Sequence, residues 1–268
     1  MQNYHKYSVT SQEVIYNKNN MRTVYLGNTL INDVMLGSQR MDDVIFKEPS
    51  ASIELPPVTS GLILYLDSTQ PASYPGAGLS WYNLVAGQPI TASLQSNVSF
   101  TTGSYLQVTS SANGYIEIPG VNFTSSNSTV MVATRYTDTV SNGRMCAGLN
   151  NNWLLGHWNN STINYYAGTQ PVYGIGEPGQ GSPNDTDWRI YAGTANIAGD
   201  SWGLYTNASL TAQNANGTDG PDGLQVGRSS GGGETSDGQV CFVIVYNRVL
   251  SGAEITSNYN ALKYKVGL

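Results

Sequence analysis

The chemistry open to this sequence starts with its carboxylates, because glycosidic bonds are cut by a pair of them aimed at one bond, as alternate positions on a strand allow. Glu117 alternates with Ile116 and Ile118 but has no acidic residue two positions away. Asp185 and Asp187 have the spacing, yet they stand in SPNDTDW, which reads as a turn entering a strand. His5 and His157 have no Ser or Cys in a recognisable nucleophile motif, and Cys146 and Cys241 have no second Cys or His at metal-ligand spacing. These absences predict a protein that is not an enzyme, with both cysteines as buried free thiols.

What remains suits binding better than catalysis. The stretch NNNWLLGHWNN, followed closely by Tyr165 and Tyr166, sets aromatic faces beside amide side chains, the combination on which a neutral glycan stacks and hydrogen-bonds. Trp153, His157, Trp158 and Tyr165 are therefore the candidate carbohydrate-binding residues. A competing reading holds, because Trp153, Leu155 and His157 share one face of an alternating strand and Trp is usually buried. Asp219 and Asp222 in DGPDG are candidate calcium ligands, with an ordinary structural loop as the alternative; no other cofactor is expected.

Composition limits the partners. Charged residues make up 11% of the 268, well below the usual share of about 25%, while 40% are hydrophobic, enough for a core. Twelve basic against eighteen acidic residues give a net charge of −6, with no basic run to follow a phosphate backbone or an anionic bilayer. Neither nucleic acid nor membrane is expected as a partner. MQNYHKYSVTSQ has no apolar stretch for a signal peptide, which predicts a soluble protein not exported by the general secretory route. The Asn-X-Ser/Thr sequons are attributed to chance in a chain so rich in these residues.

The elements that must carry these residues fall into three parts. Residues 1–46 count in tens: Val14, Val24, Val34 and Val44 share a phase, with Tyr16, Leu26, Leu36 and Phe46 two places on and Met21, Ile31 and Met41 in another. Asn17, Gly27 and Gly37 at the fourth position tolerate positive φ, so each unit reads as a strand, a tight turn and a second strand. Units this short cannot cover their own apolar rows, and Val14, Val24, Leu26, Ile31, Val34, Leu36, Met41, Val44 and Phe46 are the expected anchor or oligomer interface. Residues 47–60, with Pro49, Pro56 and Pro57, read as a linker.

From residue 61 on, short apolar runs bounded by Gly, Asn, Ser and Pro predict antiparallel sheets, with VCFVIVY buried on both faces. Ser251 and Glu254 form a capping box ahead of an Ile255, Tyr259, Leu262, Val266 stripe, which predicts one terminal helix packed on the sheets.

Three stretches, GLILYLDSTQPASYPGAGLSWYNL, WLLGHW with DWRIYAGT, and SDGQVCFVIVYNRVLSGAEITSNYNALKYKVGL, resemble the laminin-G-like, concanavalin A-like jelly-roll family. The resemblance implies an all-β jelly-roll sandwich with a C-terminal helix over 61–268. Joined to a leader such as VYLGNTLINDV, it implies a bacteriophage particle as the setting. In this sequence WYNLVAGQPITASL departs from the Gly- and Asn-rich loop of relatives, so no ligand or calcium site is carried over to it.

Three readings follow. The first is a virion structural protein at the particle surface, a capsid decoration or fibre component anchored to other capsid or tail proteins by its repeats, homo-oligomeric and, as a closed form, trimeric. The second is a carbohydrate- or receptor-binding tail-fibre or adhesin module that engages a host surface glycan. The third, a glycosidase or lyase, is opposed by the missing carboxylate pair.

Overall fold

The computed structural model describes residues 53–268, apart from 96, 140–142, 160, 168–169, 172–184 and 216, together with five short strands nearer the start. The chain divides into two compact units, Met1–Ser52 and Ile53–Leu268.

In the first unit, β1 (Val14–Tyr16) pairs antiparallel with β2 (Val24–Leu26), and β2 with β3 (Thr29–Ile31). A separate hairpin joins β4 (Met35–Leu36) to β5 (Gln39–Arg40). The hairpin closures Leu26↔Thr29 and Leu36↔Gln39 are ten residues apart, the period of the sequence. Val14, Val24, Leu26, Ile31 and Leu36 fall on these strands, whereas Val34, Met41, Val44 and Phe46 lie outside the described residues.

The second unit is the expected all-β sandwich. In chain order its strands are β6 (Leu62–Asp67), β7 (Ser80–Tyr82), β8 (Thr91–Leu94), β9 (Ser99–Thr101), β10 (Tyr105–Val108) and β11 (Ile116–Asn122). They continue as β12 (Ser128–Tyr136), β13 (Cys146–Gly148), β14 (Trp153–Trp158), β15 (Ser161–Ala167) and β16 (Gln170–Pro171). The last are β17 (Arg189–Asn196), β18 (Ser201–Thr206), β19 (Ser209–Asn214), β20 (Asp222–Val226) and β21 (Gly238–Tyr246). One sheet runs β19-β18-β17-β12-β21-β10-β9 with β6 also on β21; the other runs β16-β15-β14-β13-β20-β11-β8-β7. Their facing sides interdigitate Leu64, Leu106, Val130, Val132 and Val243 with Trp81, Ile116, Ile118, Trp153 and Leu224.

Strand β21 is buried along its whole length because it serves two cores. Val240, Val243 and Val245 face the partner sheet, while Cys241, Phe242, Ile244 and Tyr246 face a second cluster with Ile255, Leu262 and Leu250 of the C-terminal segment. The register slips between Ala133 and Thr134 of β12, whose partners on β21 are Phe242 and Val240, so Cys241 is an extra residue, a bulge. The Cys241 carbonyl accepts instead from Ser68 N (2.9 Å) and Ser68 Oγ (2.8 Å). Both cysteines are buried and free, and burial pushes each thiol up to about 12.

Helix α1 (Gly252–Leu262) starts where the sequence places it, with Ser251 accepting from Glu254 N and the Glu254 side chain accepting from Ser251 N. The linker expected over 47–60 needs correction for its second half. Val58 N donates to Asn258 Oδ1 (3.1 Å), Tyr246 OH donates to the Val58 carbonyl (2.7 Å), and Glu54 and Gln70 exchange two bonds. Prolines keep 53–60 out of the sheets, but helix and strand side chains satisfy its backbone, so the unit begins at Ile53.

Beside this seam lies a buried carboxylate. Asp67, fully buried at the end of β6, accepts from Tyr65 OH (2.6 Å), Gln70 Nε2 (2.8 Å), Thr69 N (2.9 Å) and Thr69 Oγ1 (2.7 Å), and pairs with Lys265 Nζ at 3.0 Å. Burial alone raises its pKa, but the bonds from Gln70 and Tyr65 and the charge of Lys265 outweigh it and hold the carboxyl below its ordinary value. Asp67→Asn leaves the buried Lys265 with only the more distant Glu54 carboxylate at 3.9 Å; urea denaturation at pH 7 is expected to show a loss of roughly 3 kcal/mol. Ser251→Ala, which removes only a cap, is expected to cost about 1 kcal/mol in the same measurement.

Candidate functional site

The candidate carbohydrate-binding residues do not form a surface site. Trp153 (0% exposed), His157 (0%) and Tyr165 (1%) point between the sheets, where the rings of Trp153 and Tyr165 meet edge to face at 5.8 Å. The alternation on β14 is real, but the face it defines is covered by the other sheet, and three large rings there are core. His157 Nδ1 lies 3.1 Å from Thr134 Oγ1, and its ring packs against Tyr136 (4.7 Å) and Tyr191 (5.3 Å). Gly156, at φ +90°, makes room for that arrangement, since a Cβ on it would stand 2.5 Å from the Tyr191 ring.

Trp158 alone of the four reaches the surface, half-buried at the rim. Its indole N–H donates to Glu234 Oε1 (2.8 Å), and Arg144 sits 5.7 Å from its ring. Arg144 in turn pairs with Glu234 Oε2 (2.6 Å) and donates to Asn152 Oδ1 (2.7 Å). The rim's polar groups are thus spent on one another. Asp219 and Asp222 lie where the chain enters β20, and Asp222 N donates to Asn151 Oδ1 (3.1 Å). Among the described residues no group of three or more His, Cys, Asp or Glu is placed to hold a metal ion. Of the carboxylates weighed for catalysis, Glu117 pairs with Arg228 (2.8 Å), while Asp185 pairs with Arg189 and accepts the Asp187 N–H (2.8 Å) as a turn residue.

A different surface has unspent groups. On the outer face of the β21 sheet, Gln107, Gln239 and Arg135 stand in one row across β10, β21 and β12 through the pairings Gln107↔Gln239 and Arg135↔Gln239. Arg135 Nε donates to Gln239 Oε1 (2.7 Å), and Gln239 Nε2 donates to Gln107 Oε1 (3.0 Å). The guanidinium lies 5.7 Å from the Tyr105 ring and 5.1 Å from the Trp188 ring, the two rings being 5.7 Å apart and tilted by 52°. All four side chains around Arg135 except the nearly buried Gln239 are half-exposed. The direction of the relay follows from chemistry: arginine only donates, so Gln239 must present oxygen to it and nitrogen to Gln107.

The other arginines of the second unit are engaged by carboxylates, Arg144 by Glu234, Arg189 by Asp185, Arg228 by Glu117 and Arg248 by Glu254. Arg135 has aromatic faces and one amide instead, and among the described residues nothing takes its Nη1 or Nη2. The residues of this face come from YLQVTS, STVMVATRY, DWRIYAGT and SDGQVCF, strands legible in the sequence; the strand order that unites them is long-range.

A two-sheet jelly roll with a helix on one outer face defines a lectin-like class of domain. The chain belongs to the concanavalin A-like lectin/glucanases superfamily, whose laminin-G-type profile matches residues 110–256, more than half of it. No characterised protein sequence matches it. Among solved structures it is similar to the binding domain of Paraclostridial Mosquitocidal Protein 1, with TM-score 0.54 and 15% identity over 75% of this chain and 52% of that one. It is similar also to the binding domain of botulinum neurotoxin DC in complex with SialylT, with TM-score 0.55 and 12% identity over 76% and 52%. The binding domain of botulinum neurotoxin serotype C1 gives 0.54 and 13% over 76% and 53%. The chain spans about half the length of each, and at these identities the likeness is one of fold.

Two predictions separate core from surface. Trp153→Ala is expected to destabilise the domain by roughly 3–5 kcal/mol, and Trp158→Ala by much less, in parallel urea titrations. Burial pushes the His157 pKa down to about 3 from an ordinary 6.5, the nearby Asp185 opposing this only in part. Since the folded form resists a proton that the unfolded chain accepts, stability is complete above pH 6.5 and falls below it. Between pH 6.5 and 4.5 the loss should run at about 1.4 kcal/mol per pH unit and disappear in His157→Gln. Below pH 4.5 a further loss follows as Glu254, held down to about 2 by Arg248, gains its proton.

Proposed function

We propose that this chain is a virion surface protein whose N-terminal repeats join it to other capsid or tail proteins and to sister copies, while its jelly roll presents a glycan-recognition face centred on Arg135. The observation that carries the recognition reading is the uncommitted Arg135 fork set against the adjoining Tyr105 and Trp188 rings beside an amide row. Aromatic faces stack on the C–H surface of a pyranose, and fixed donors next to them select among its oxygens. Membership of a lectin-like superfamily supports the same reading. The anchor reading rests on the ten-residue repeat and its hairpins, which leave short strand edges for neighbouring chains to cover. A trimer is the closed arrangement proposed for it.

A glycan array probed with the full chain is expected to give carbohydrate ligands whose binding drops at least tenfold in Trp188→Ala and is unchanged in Trp158→Ala. Silence across the array, with the protein folded by circular dichroism, counts against recognition. Light scattering is expected to give an oligomer that deletion of residues 1–46 converts to monomer. Purified virions should carry the full chain and not the deleted one. A monodisperse monomer of the full chain, or virion association without the leader, overturns the anchor.

A further inference from the structure

We infer that the Arg135 face recognises a carboxylated sugar, a sialic or uronic acid residue, and not a neutral glycan; this rests on the glycan-recognition reading above. The argument is one of hydrogen-bond polarity. Within the row, Gln239 Oε1 accepts from Arg135 Nε and Gln107 Oε1 accepts from Gln239 Nε2, which leaves each oxygen one lone pair. The unspent N–H groups are those of Arg135 Nη1 and Nη2 and, at the far end, Gln107 Nε2, so free donors outnumber free acceptors and the strongest of them are cationic. A neutral sugar offers uncharged hydroxyls, which gain less from a cationic donor pair than an ionised group does. A carboxylate only accepts, and its two oxygens match the spacing of a guanidinium fork.

The fork is also preorganised. Tyr105 and Trp188 together flank the guanidinium and Gln239 fixes its Nε, so little side-chain freedom remains to be lost when a ligand arrives. A lysine in the same place would be a point charge without the fork. The attraction is local. With a net charge of −6 and the other arginines of this unit paired with carboxylates, the face has no field to gather a polyanion, which separates this site from one for nucleic acid or a heavily sulfated chain. What the face matches is a single carboxylate attached to a ring that can lie on Trp188 or Tyr105.

The test uses the full chain in isothermal titration at low and at physiological salt. Sialyllactose is compared with lactose, and a galacturonic acid oligomer with its carboxyl-reduced counterpart, so the two sources of the carboxylate are read separately. The expected result is at least tenfold tighter binding of one or both acids than of the neutral partner. Arg135→Lys and Arg135→Met should weaken the acid about tenfold to a hundredfold, and weaken it more than any neutral sugar. Gln107→Leu, which cannot disturb the stacked rings, serves if the Arg135 variants fail to fold; it should weaken the acid several-fold. Equal affinity for acid and neutral forms, with Arg135→Met weakening both alike, overturns the carboxylate assignment while glycan recognition stands. Binding of neither form, with no other hit on the array, removes both.

Discussion

The bulge at Cys241 is the constraint on which the polar organisation of the sandwich rests. A strand buried on both faces alternates its side chains between two cores, and β21 does so from Tyr246 to Phe242. One extra residue at Cys241 then reverses the parity, so that Val240 still faces inward and Gln239 comes to the outer face opposite Arg135. Strand β12 keeps unbroken alternation, with Met131 and Ala133 outward and Val130 and Val132 inward. Without the bulge Gln239 would point into the sandwich and Arg135 would lose the amide that fixes it. The carbonyl released from the ladder is taken by Ser68, next to Asp67, so the local irregularity is held from the same short segment that holds the helix.

Charge economy gives the outer face its meaning. A protein with few ionic side chains has placed nearly all of its described arginines against carboxylates, and the bonds are short. The Trp158 rim illustrates the difference, for it contains an indole, a guanidinium, an amide and a carboxylate, yet these satisfy one another. Arg135 has comparable aromatic company and no carboxylate. Residual donor capacity, more than the presence of aromatic rings, is what distinguishes a face that can bind from a face that is merely polar.

The fold was largely written in local sequence, because its signals act over a few residues. The Ser251–Glu254 box, the unalternating VCFVIVY run and the turn aspartates of SPNDTDW each declare themselves within a stretch shorter than ten residues, and each is found as read. The site was not legible in that way. Trp153, His157 and Tyr165 are buried while Trp158 is not, because whether a strand face is wet or dry depends on a second sheet that no local pattern announces. Arg135 meets Gln239 from 104 residues away and Gln239 meets Gln107 from 132, separations at which alternation says nothing. The prolines of 53–60 misled for the same reason, since Val58 is bonded to a side chain 200 residues later.

That last attachment has a mechanical consequence. A pull arriving along the backbone at Ile53 does not meet β6 first. It is received by Gln70 at Glu54, then by Asn258 and Tyr246 at Val58, and Arg248 holds the Ser60 carbonyl beyond them. Tension is thereby divided among a loop, a helix and the central strand before any edge can begin to peel.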